Sequence, residues 1–573
     1  MMALNSFDEY RLDATKRFAH TLIVVDDEAS TEAPNVEQEK NATPAKKPSR
    51  ADAVRSSISQ PSSSRQAVVN HPLNAAILTE ASMGLGLICS ILKPKKTAKP
   101  AAKVAIAAQR ADILCIDWEM HNDSGRTAVE IIQAVLESDE GNGGRLRLIA
   151  IYTGVADKDQ ILKKVLSSIP KGVRTRRAIA IEENFLSSND GLRIVWLMKK
   201  GGVRNKLTQK YAVSEDELPE RLQKEFSYLS DGILTNVAIA TIASIREATH
   251  HVIARFGKPM DGPYFHHRST LPSPEDAEEY ATQIIVSELK NSIDANKISS
   301  HFAGSEALEK ALDHTLNSKD QNFLNGKDNV SVSYANFRDL IINGIKPTLK
   351  KLEDAKKGLG IGIKGVSEQI ANPFTQSSEV TIENMLEFAA LTCLSAQSGS
   401  RYNHHKPALS LGSIVQDADG KYLLCVQATC DSVRLEKAQA FLFAQLEEIP
   451  RADILSKEAK NKIEFVVPVF EGASKKRKLV CLKLSDKAPY AALRSIVFSP
   501  TIDQRVYASK NDRKGFEFTA LNIPAGKRSP KQKQFTWIAD VKRKRALRTV
   551  QYIGQEMGRI GFDEFEAFRR IYN

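Results

Sequence analysis

Short apolar segments alternate with amphipathic ones over roughly the first two hundred residues of the chain. Five apolar segments are predicted to form strands: residues 21–25, 86–92, 112–117, 146–152 and 193–198. Their nearly continuous apolar runs are typical of strands that are covered on both faces, and helical patterns separate most of them. The alternation predicts a doubly wound α/β domain with a parallel sheet over residues 1–205. A further strand at residues 178–182 is expected to form a hairpin with the last one.

A polar segment interrupts this domain directly after its first strand. Residues 29–70 are rich in Ser, Pro, Ala, Lys and Gln and hold few apolar side chains. Such a composition cannot bury enough apolar surface to offset the entropy lost on ordering. We therefore predict a disordered insertion at residues 29–70, inside the α/β domain.

The periodicity changes twice beyond the α/β domain. Apolar residues recur every three to four positions over residues 206–400, which predicts an all-α region. Short strands replace that pattern over residues 401–540, where a hairpin signal stands at residues 417–420. These residues predict a mainly antiparallel β domain. Residues 541–573 return to a helical pattern, so the chain is expected to be multi-domain and to end in helix.

Length and composition fit this division. The chain has 573 residues and a formal net charge of +12, and at about 100–200 residues per domain it has room for three or four domains. Its six cysteines are scattered without the spacing of a zinc site, so we expect reduced thiols. No apolar run approaches the roughly 20 residues that span a bilayer, and the N-terminus is too polar for a secretory signal. We predict a cytoplasmic protein that does not contact a membrane.

Carboxylates stand where two of the predicted strands end. Asp26 and Asp27 follow the first strand, and Asp117 ends the third. Because the carboxyl ends of parallel strands meet at one crevice, these side chains should lie close together and repel one another. Hard oxygen ligands in a small space favour Mg²⁺. A carboxylate beside bound Mg²⁺ can attack a phosphoryl group.

Two more strand ends add to the same crevice. Thr153 follows the fourth strand, where a hydroxyl group could bond a phosphoryl oxygen. The fifth strand ends in Lys199 and Lys200, and an ammonium group there would balance added negative charge. With Asp-Asp, Asp, Thr and Lys in this order at the ends of the first, third, fourth and fifth strands, residues 18–205 resemble the receiver domains of two-component response regulators, which have a flavodoxin-like fold.

The resemblance implies a role for each acidic residue. Asp117, within IDWEM-x-x-x-SG, matches the phosphorylated aspartate of the family. Asp26 and Asp27 match the metal-binding pair, so Mg²⁺ is the expected cofactor. The backbone carbonyl of Glu119 would be a further metal ligand. His121 stands where the family usually has proline.

The resemblance also assigns the switch residues. Thr153 matches the Thr/Ser switch, and Lys199 matches the family's lysine. Trp196 precedes Lys199 by three positions, where the family has an aromatic side chain that rotates with the switch. That spacing favours Lys199 over Lys200, although Lys200 stands where proline is usual.

A phosphorelay function follows from the resemblance. A partner histidine kinase or kinase-like ATPase protein would phosphorylate Asp117, and the switch would change contacts of the helical region or self-association. Enzymatic activity would be limited to self-catalysed aspartyl phosphorylation and dephosphorylation. The whole chain is also similar to a divergent group of large bacterial receiver proteins, which implies a setting in phage defence.

Basic runs near the C-terminus leave a different function open. The candidate phosphate-binding side chains are Lys475, Lys476, Arg477, Lys478, Lys542, Arg543, Lys544 and Arg545. Phe535 and Trp537 lie between these runs and could stack on bases. In this alternative the β domain is a nucleic-acid-binding module or effector, and the receiver regulates it. A third possibility is a phosphate sink or scaffold with no output of its own.

Overall fold

The structure is a computed structural model of the chain. The chain folds into two compact units, Met1–Ser367 and Glu368–Asn573. The residues it describes are 6–31, 72–95, 99–188, 190–202, 208–271, 274–316, 323–324, 332–354, 361–375, 377–398, 406–451, 454, 464–471, 476–485, 493–501, 504–511, 515–522 and 531–557. Most of the predicted insertion, from residue 32 onward, lies outside them.

The first unit begins with a helix and then builds an α/β sheet. Its first elements are α1 (Ser6–Phe18), β1 (Thr21–Val25), α2 (Ala75–Gly84), β2 (Ile88–Leu92), α3 (Ala101–Ala108), β3 (Ile113–Ile116), α4 (Arg126–Gly141), β4 (Arg147–Thr153), α5 (Lys158–Ser168), α6 (Lys171–Arg177), β5 (Ala180–Ile181), β6 (Phe185–Ser187), β7 (Leu192–Lys199), β8 (Ala212–Val213) and α7 (Leu218–Ser227).

The strand order is β2-β1-β3-β4-β7-β6-β5, with β8 paired to the end of β7. β2, β1, β3, β4 and β7 are mutually parallel. Separate apolar clusters cover the two faces of the sheet, which is why its central strands are apolar throughout. The sequence prediction of a parallel α/β domain agrees with this architecture.

The hairpin at the sheet edge differs from the prediction. The strand that pairs antiparallel with β7 is β6, and β5 pairs only with β6. Leu186 of β6 is fully buried, whereas Ile181 of β5 is 41% exposed. The burial of Leu186 therefore selects β6 as the neighbour of β7, although residues 178–182 have the more strand-like sequence.

The α/β core continues beyond residue 205. Ala212 and Val213 of β8 pair in parallel with the last two residues of β7. Leu218, Leu222 and Phe226 of α7 belong to the apolar cluster on one face of the sheet. A strand and a helix from the predicted all-α region thus complete the packing around the C-terminal end of β7.

The remainder of the first unit is helical, as predicted. Its helices are α8 (Ile233–Arg255), α9 (Asp261–Thr270), α10 (Asp276–Ala295), α11 (Ile298–Ala303), α12 (Ser305–Thr315), α13 (Tyr334–Ile342) and α14 (Ile345–Asp354). The following helix α15 (Ile363–Gln369) spans the boundary between the units. α8 packs against α1, α10 and α11, so α1 joins the helical part to the sheet.

The second unit is β-rich, as the sequence predicts, and ends in helix. Its elements are α16 (Ser378–Cys393), β9 (Leu394–Gln397), β10 (Ser413–Gln416), β11 (Tyr422–Cys425), β12 (Gln439–Ile449), β13 (Phe465–Glu471), β14 (Lys476–Leu484), β15 (Leu493–Phe498), β16 (Ser509–Asn511), β17 (Gly515–Asn522), β18 (Lys531–Val541) and α17 (Arg543–Met557). All of the strand pairings in its sheet are antiparallel.

Six of these strands close into a ring. The pairing runs β11-β10-β18-β17-β15-β12, and β12 pairs back with β11. Aromatic side chains fill the interior, including Phe441, Phe443, Phe498, Phe518, Phe535 and Trp537. Closure leaves these six strands without a free edge, and the aromatic side chains make the interior a packed core. Across the described residues, no helix is long and apolar enough to cross a membrane.

Candidate functional site

Three carboxylates meet at the C-terminal ends of β1 and β3. Val25 and Ile116 are register partners in these neighbouring parallel strands, so the residues that follow them emerge side by side. The N–H of Asp117 also donates to the carbonyl of Val25 at 2.9 Å. Asp26, Asp27 and Asp117 each place a carboxylate oxygen within 4.8 Å of the others, and all three are buried.

Lys199, the last residue of β7, bridges two of these carboxylates. Its Nζ lies 2.8 Å from Asp26 Oδ2 and 3.0 Å from Asp117 Oδ2. Burial opposes the charged ammonium, but the attraction of Asp117 and Asp26 outweighs it and raises the pKa of Lys199. The neighbouring Lys200 is exposed and lies 3.7 Å from Glu217 at the surface.

The Asp117 carboxylate is held in an environment that disfavours its charge. Burial, aided by the negative charge of Asp26, raises the pKa of Asp117, while Lys199 acts in the opposite direction. A desolvated carboxylate has lost the water that stabilises its charge in solution. It is held in place by the Nζ of Lys199 and by the backbone N–H of Glu119, which donates to Oδ1 at 3.4 Å.

Asp27 is tied to the loop that follows β3. Its Oδ2 accepts the backbone N–H of His121 at 2.8 Å and lies 2.8 Å from His121 Nδ1. The other ring nitrogen of His121, Nε2, is 3.0 Å from the carbonyl oxygen of Pro94. In the sequence His121 stands out only because it replaces a proline, and nothing in the hydrophobic pattern indicates its contact with Asp27.

The same carboxylate has an oxygen that suits a cation. Asp27 Oδ1 is buried and finds no hydrogen-bond donor among the described residues. An unpartnered buried carboxylate oxygen is costly, and a hard divalent ion offsets that cost. Together with Asp26 and Asp117 it gives an all-oxygen set of the kind that Mg²⁺ prefers, so the residues present fit this ion. Receiver domains typically bind Mg²⁺ through such a cluster.

The loop after Asp117 is held by short-range contacts. The Glu119 carboxylate accepts the N–H of Ser124 at 2.9 Å. Lys164 of α5 donates to the carbonyl of Ser124 at 2.6 Å, and its Nζ lies 5.5 Å from the centre of the Trp118 ring. These contacts connect the loop that follows Asp117 to α5.

Thr153, the last residue of β4, and Trp196 of β7 are both enclosed. Thr153 ends β4 and is fully buried, with its hydroxyl oxygen accepting the N–H of Val155 at 3.3 Å. Trp196 is fully buried too, in edge contact with Tyr211, whose ring centre is 5.7 Å away. Tyr211, which lies beyond the predicted domain end, thus covers an edge of the Trp196 ring.

Tyr152 is a residue that the sequence did not single out. It precedes Thr153 on β4 and is buried, and its hydroxyl group donates to the carbonyl of Val213 at 2.9 Å. The Nζ of Lys199 lies 5.8 Å from its ring centre. Tyr152 therefore links β4, at the position before Thr153, to β8.

The aromatic candidates for nucleic-acid stacking point into the barrel. Phe535 and Trp537 are 2% and 1% exposed, and the Trp537 indole N–H donates to Asp540 Oδ1 at 3.2 Å. Neither ring is available to a base, so the expectation that they could stack is wrong. Alternation along β18 turns these positions inward.

Several of the basic candidates already have partners in their own unit. Arg477 forms an ion pair with Glu387, and Lys478 lies 3.9 Å from Glu448. Lys542 donates to the carbonyl of Leu391 at 2.9 Å, and Arg545 donates to that of Glu464 at 2.7 Å. Arg543 and Lys544 are exposed on α17. Lys475 and the side chain of Lys476 lie outside the described residues.

Comparison with known protein families finds one match, in the N-terminal part of the chain. The family model described as a response receiver domain matches residues 18–204, roughly a third of the chain. No curated protein and no solved structure matches the sequence. The N-terminal part of this chain therefore contains a response receiver domain, the phosphoacceptor module of response regulators.

Proposed function

We propose that this protein is a response-regulator-like signalling protein in which Asp117 accepts a phosphoryl group from a partner histidine kinase or kinase-like ATPase protein. The observation that carries the proposal is the buried Asp26–Lys199–Asp117 bridge at the ends of β1, β3 and β7, within a segment that matches the receiver domain. A buried carboxylate that forms an ion pair with a lysine at a strand end is typical of a functional site. The lysine ammonium can also pair with the negative charge of an added phosphoryl group.

The transfer requires a single substitution at phosphorus. A carboxylate oxygen of Asp117 forms the new P–O bond, and the P–N bond of a phosphohistidine breaks with its electron pair returning to the imidazole nitrogen. The product is an acyl phosphate that adds negative charge to the crevice. Lys199 is already within 3.0 Å of Asp117 and can pair with that charge.

Asp26, Asp27 and Asp117 would hold Mg²⁺, and the family resemblance adds the backbone carbonyl of Glu119. When bound, the ion would neutralise negative charge on the phosphoryl oxygens. The Oδ1 of Asp27, which is buried and has no hydrogen-bond donor within the part of the chain that the structure describes, supports this assignment. We expect EDTA to abolish phosphorylation of the wild-type chain for the same reason.

In this proposal, phosphorylation of Asp117 changes the contacts of β8, α7 and the helices that follow the receiver domain. Thr153 would bond the new phosphoryl group and move, and Tyr152 beside it is hydrogen-bonded to β8. β8 leads directly into α7, whose apolar side chains pack on the sheet. The resemblance to large bacterial receiver proteins supports a setting in phage defence.

Intact-mass spectrometry after incubation with Mg²⁺ and acetyl phosphate tests the acceptor. We expect one adduct of about 80 Da on the wild-type chain, the mass of one phosphoryl group, and none on Asp117→Asn. Asp157→Asn is a matched control, because Asp157 is an exposed aspartate that caps α5. A wild-type chain without an adduct, or an Asp117→Asn variant with an undiminished one, would contradict the proposal.

A further inference from the structure

The helix α17 has one buried side and one exposed side. Ala546, Thr549 and Ile553 are buried, and their spacing of three and four residues places them on the same side of the helix. The exposed side chains on the opposite side, which we call the basic face, are Arg543, Lys544, Leu547, Arg548, Gln551, Tyr552 and Gln555. The basic face contains three cationic side chains and no acidic one.

The cationic side chains of the basic face are not used in ion pairs within the fold. Among the described residues, Arg543, Lys544 and Arg548 have no carboxylate partner. Other basic side chains of the same unit do have one, since Arg545 lies 3.5 Å from Glu464. The charge of the basic face is therefore available to a ligand.

The first turn of α17 adds positive charge where a helix already has a partial positive charge. Residues 542–545 are Lys, Arg, Lys and Arg, and the first turn contains no acidic residue. Cations at a helix N-terminus are unfavourable because the backbone dipole repels them. Such a departure from the local rules is expected at functional sites. A polyanion bound to the basic face would offset this repulsion.

An anionic membrane and an acidic protein each require a feature that α17 does not offer. A helix that lies on a membrane inserts its apolar side among the lipids, but the apolar side of α17 is buried in its own unit. The core of a protein interface is apolar and poor in charge, whereas the basic face has Leu547 as its one aliphatic side chain. Interfaces with DNA are more polar and much more positively charged, which favours nucleic acid.

Length and geometry favour a DNA duplex among the nucleic acids. The basic face extends for about 18 Å along the helix axis, at about 1.5 Å per residue, and duplex DNA carries about one phosphate per 1.7 Å. The major groove of B-DNA admits an α-helix, whereas that of A-form RNA is too narrow for side chains to read. Single strands are bound largely by stacking on aromatic rings, and Phe535 and Trp537 are enclosed in the barrel.

We propose that α17 is a DNA-binding helix whose basic face contacts the phosphate backbone of a duplex without regard to sequence. Arg543, Lys544 and Arg548 supply the charged contacts to phosphates. Gln551 and Tyr552 supply neutral hydrogen bonds to the same backbone, as these residue types do in protein–DNA interfaces. This site goes beyond the proposed phosphorylation of Asp117 and does not depend on it.

Fluorescence anisotropy of a labelled duplex of about 20 base pairs, titrated with the full, unphosphorylated chain between about 50 and about 200 mM NaCl, tests the proposal. We expect the wild type to bind at the lower salt concentration, and log K to fall linearly with the logarithm of the salt concentration. The triple substitution Arg543→Gln, Lys544→Gln and Arg548→Gln should weaken binding at least about 10-fold at the lower salt concentration and reduce the slope by about 2 to 3. Arg548→Lys, which keeps the charge, should bind like the wild type.

The matched control removes the same charge from three exposed lysines elsewhere in the second unit: Lys421→Gln, Lys437→Gln and Lys510→Gln. This control variant should bind the duplex like the wild type. An equal loss of affinity in the control, or undiminished binding by the triple variant of α17, would overturn the assignment to the basic face.

The remaining outcomes decide whether DNA is the partner. A wild type that does not bind the duplex at about 50 mM NaCl, or that binds phosphatidylserine vesicles in preference to it, would overturn DNA binding. Circular dichroism and the acetyl phosphate adduct of the triple variant of α17 should match the wild type, which shows that a loss of DNA binding is not a loss of folding.

Discussion

Gly125 leaves room for the ring of Trp118, the residue that follows Asp117. Its φ of 82° lies in the left-handed region, and an added Cβ would lie 2.1 Å from the Trp118 ring. A non-glycine residue in such a backbone conformation costs about 1–2 kcal/mol, and the ring would also have to move. We expect Gly125→Ala to lower the free energy of unfolding by about 2 kcal/mol or more and to slow adduct formation at Asp117.

Denaturant unfolding and the rate of acetyl phosphate labelling measure these two effects. Gly84→Ala is the control, because Gly84 ends α2 without a positive φ, and an added Cβ there would have no atom of a described residue within 4 Å. Alanine there should be neutral or slightly stabilising. Equal stability and equal labelling of the two variants would show that Trp118 is not held by Gly125.

The strand-end residues were predictable because their positions follow from the apolar runs that precede them. Asp117 directly follows the buried strand β3 and Lys199 is the last residue of the buried strand β7, and parallel order brings such ends together. His121 was not predictable as a partner of Asp27, because its φ of 55° belongs to an irregular loop that has no periodic signal. The same holds for Tyr152, whose hydroxyl partner is 61 residues away.

At the scale of elements, β8 is the connection between the receiver and the helices that follow. Tyr152→Phe keeps the ring but removes the 2.9 Å bond to Val213, leaving a largely buried carbonyl without that donor. We expect hydrogen exchange in β8 and at the start of α7 to become faster. We also expect phosphorylation of Asp117 to change exchange in these elements less than it does in the wild type.

Exchange measured by mass spectrometry, with and without acetyl phosphate, provides both comparisons. Tyr552→Phe is the control, since Tyr552 is 46% exposed on α17 and its substitution should leave β8 unchanged. If Tyr152→Phe shows wild-type exchange in β8 under both conditions, then this hydrogen bond does not couple the two parts.

Periodicity predicts whether a segment is a helix or a strand. Which of two strands pairs with a given neighbour depends on tertiary contacts. Residues 180–181 have an apolar sequence, yet β6 takes the place beside β7, where Phe185 lies against the Arg193 guanidinium at 3.5 Å. Phe535 and Trp537 look like surface stacking residues because basic residues surround them in sequence. Closure of the barrel turns them inward, and closure depends on the long-range pairing of β11 with β12.

At the scale of the whole molecule, the boundaries of the two units differ from the boundaries of the predicted regions. The reason is that a change of periodicity along the chain does not determine which elements pack together. The change to a helical pattern after residue 205 is real, yet β8 and α7 still complete the α/β core. A period describes only which face of an element is apolar, and the packing partner of that face is set by the rest of the chain.

Cysteine reactivity reports the integrity of the second unit. Burial raises the pKa of the Cys425 thiol to about 12 and that of Cys481 to about 11, whereas Cys430 is exposed. Because the thiolate is the reactive form, a disulfide reagent at about pH 8 should modify Cys430 rapidly and leave Cys425 and Cys481 unmodified until this unit unfolds. Cys430→Ser should remove the rapid phase, and rapid labelling of Cys425 in the native chain would contradict its place inside the barrel.

The same burial sets the sign of a pH effect on stability. In the unfolded chain these thiols ionise near their ordinary pKa of 9.0, below their folded values, so the unfolded state loses protons first as the pH rises. The free energy of unfolding of the second unit should therefore decrease as the pH rises above about 9. Denaturant titrations between about pH 8 and about pH 10, a range that brackets the ordinary thiol pKa, measure the slope. Cys425→Ala should lower stability at every pH by cavity formation while making the slope shallower, and an unchanged slope in this variant would show that Cys425 does not contribute to it.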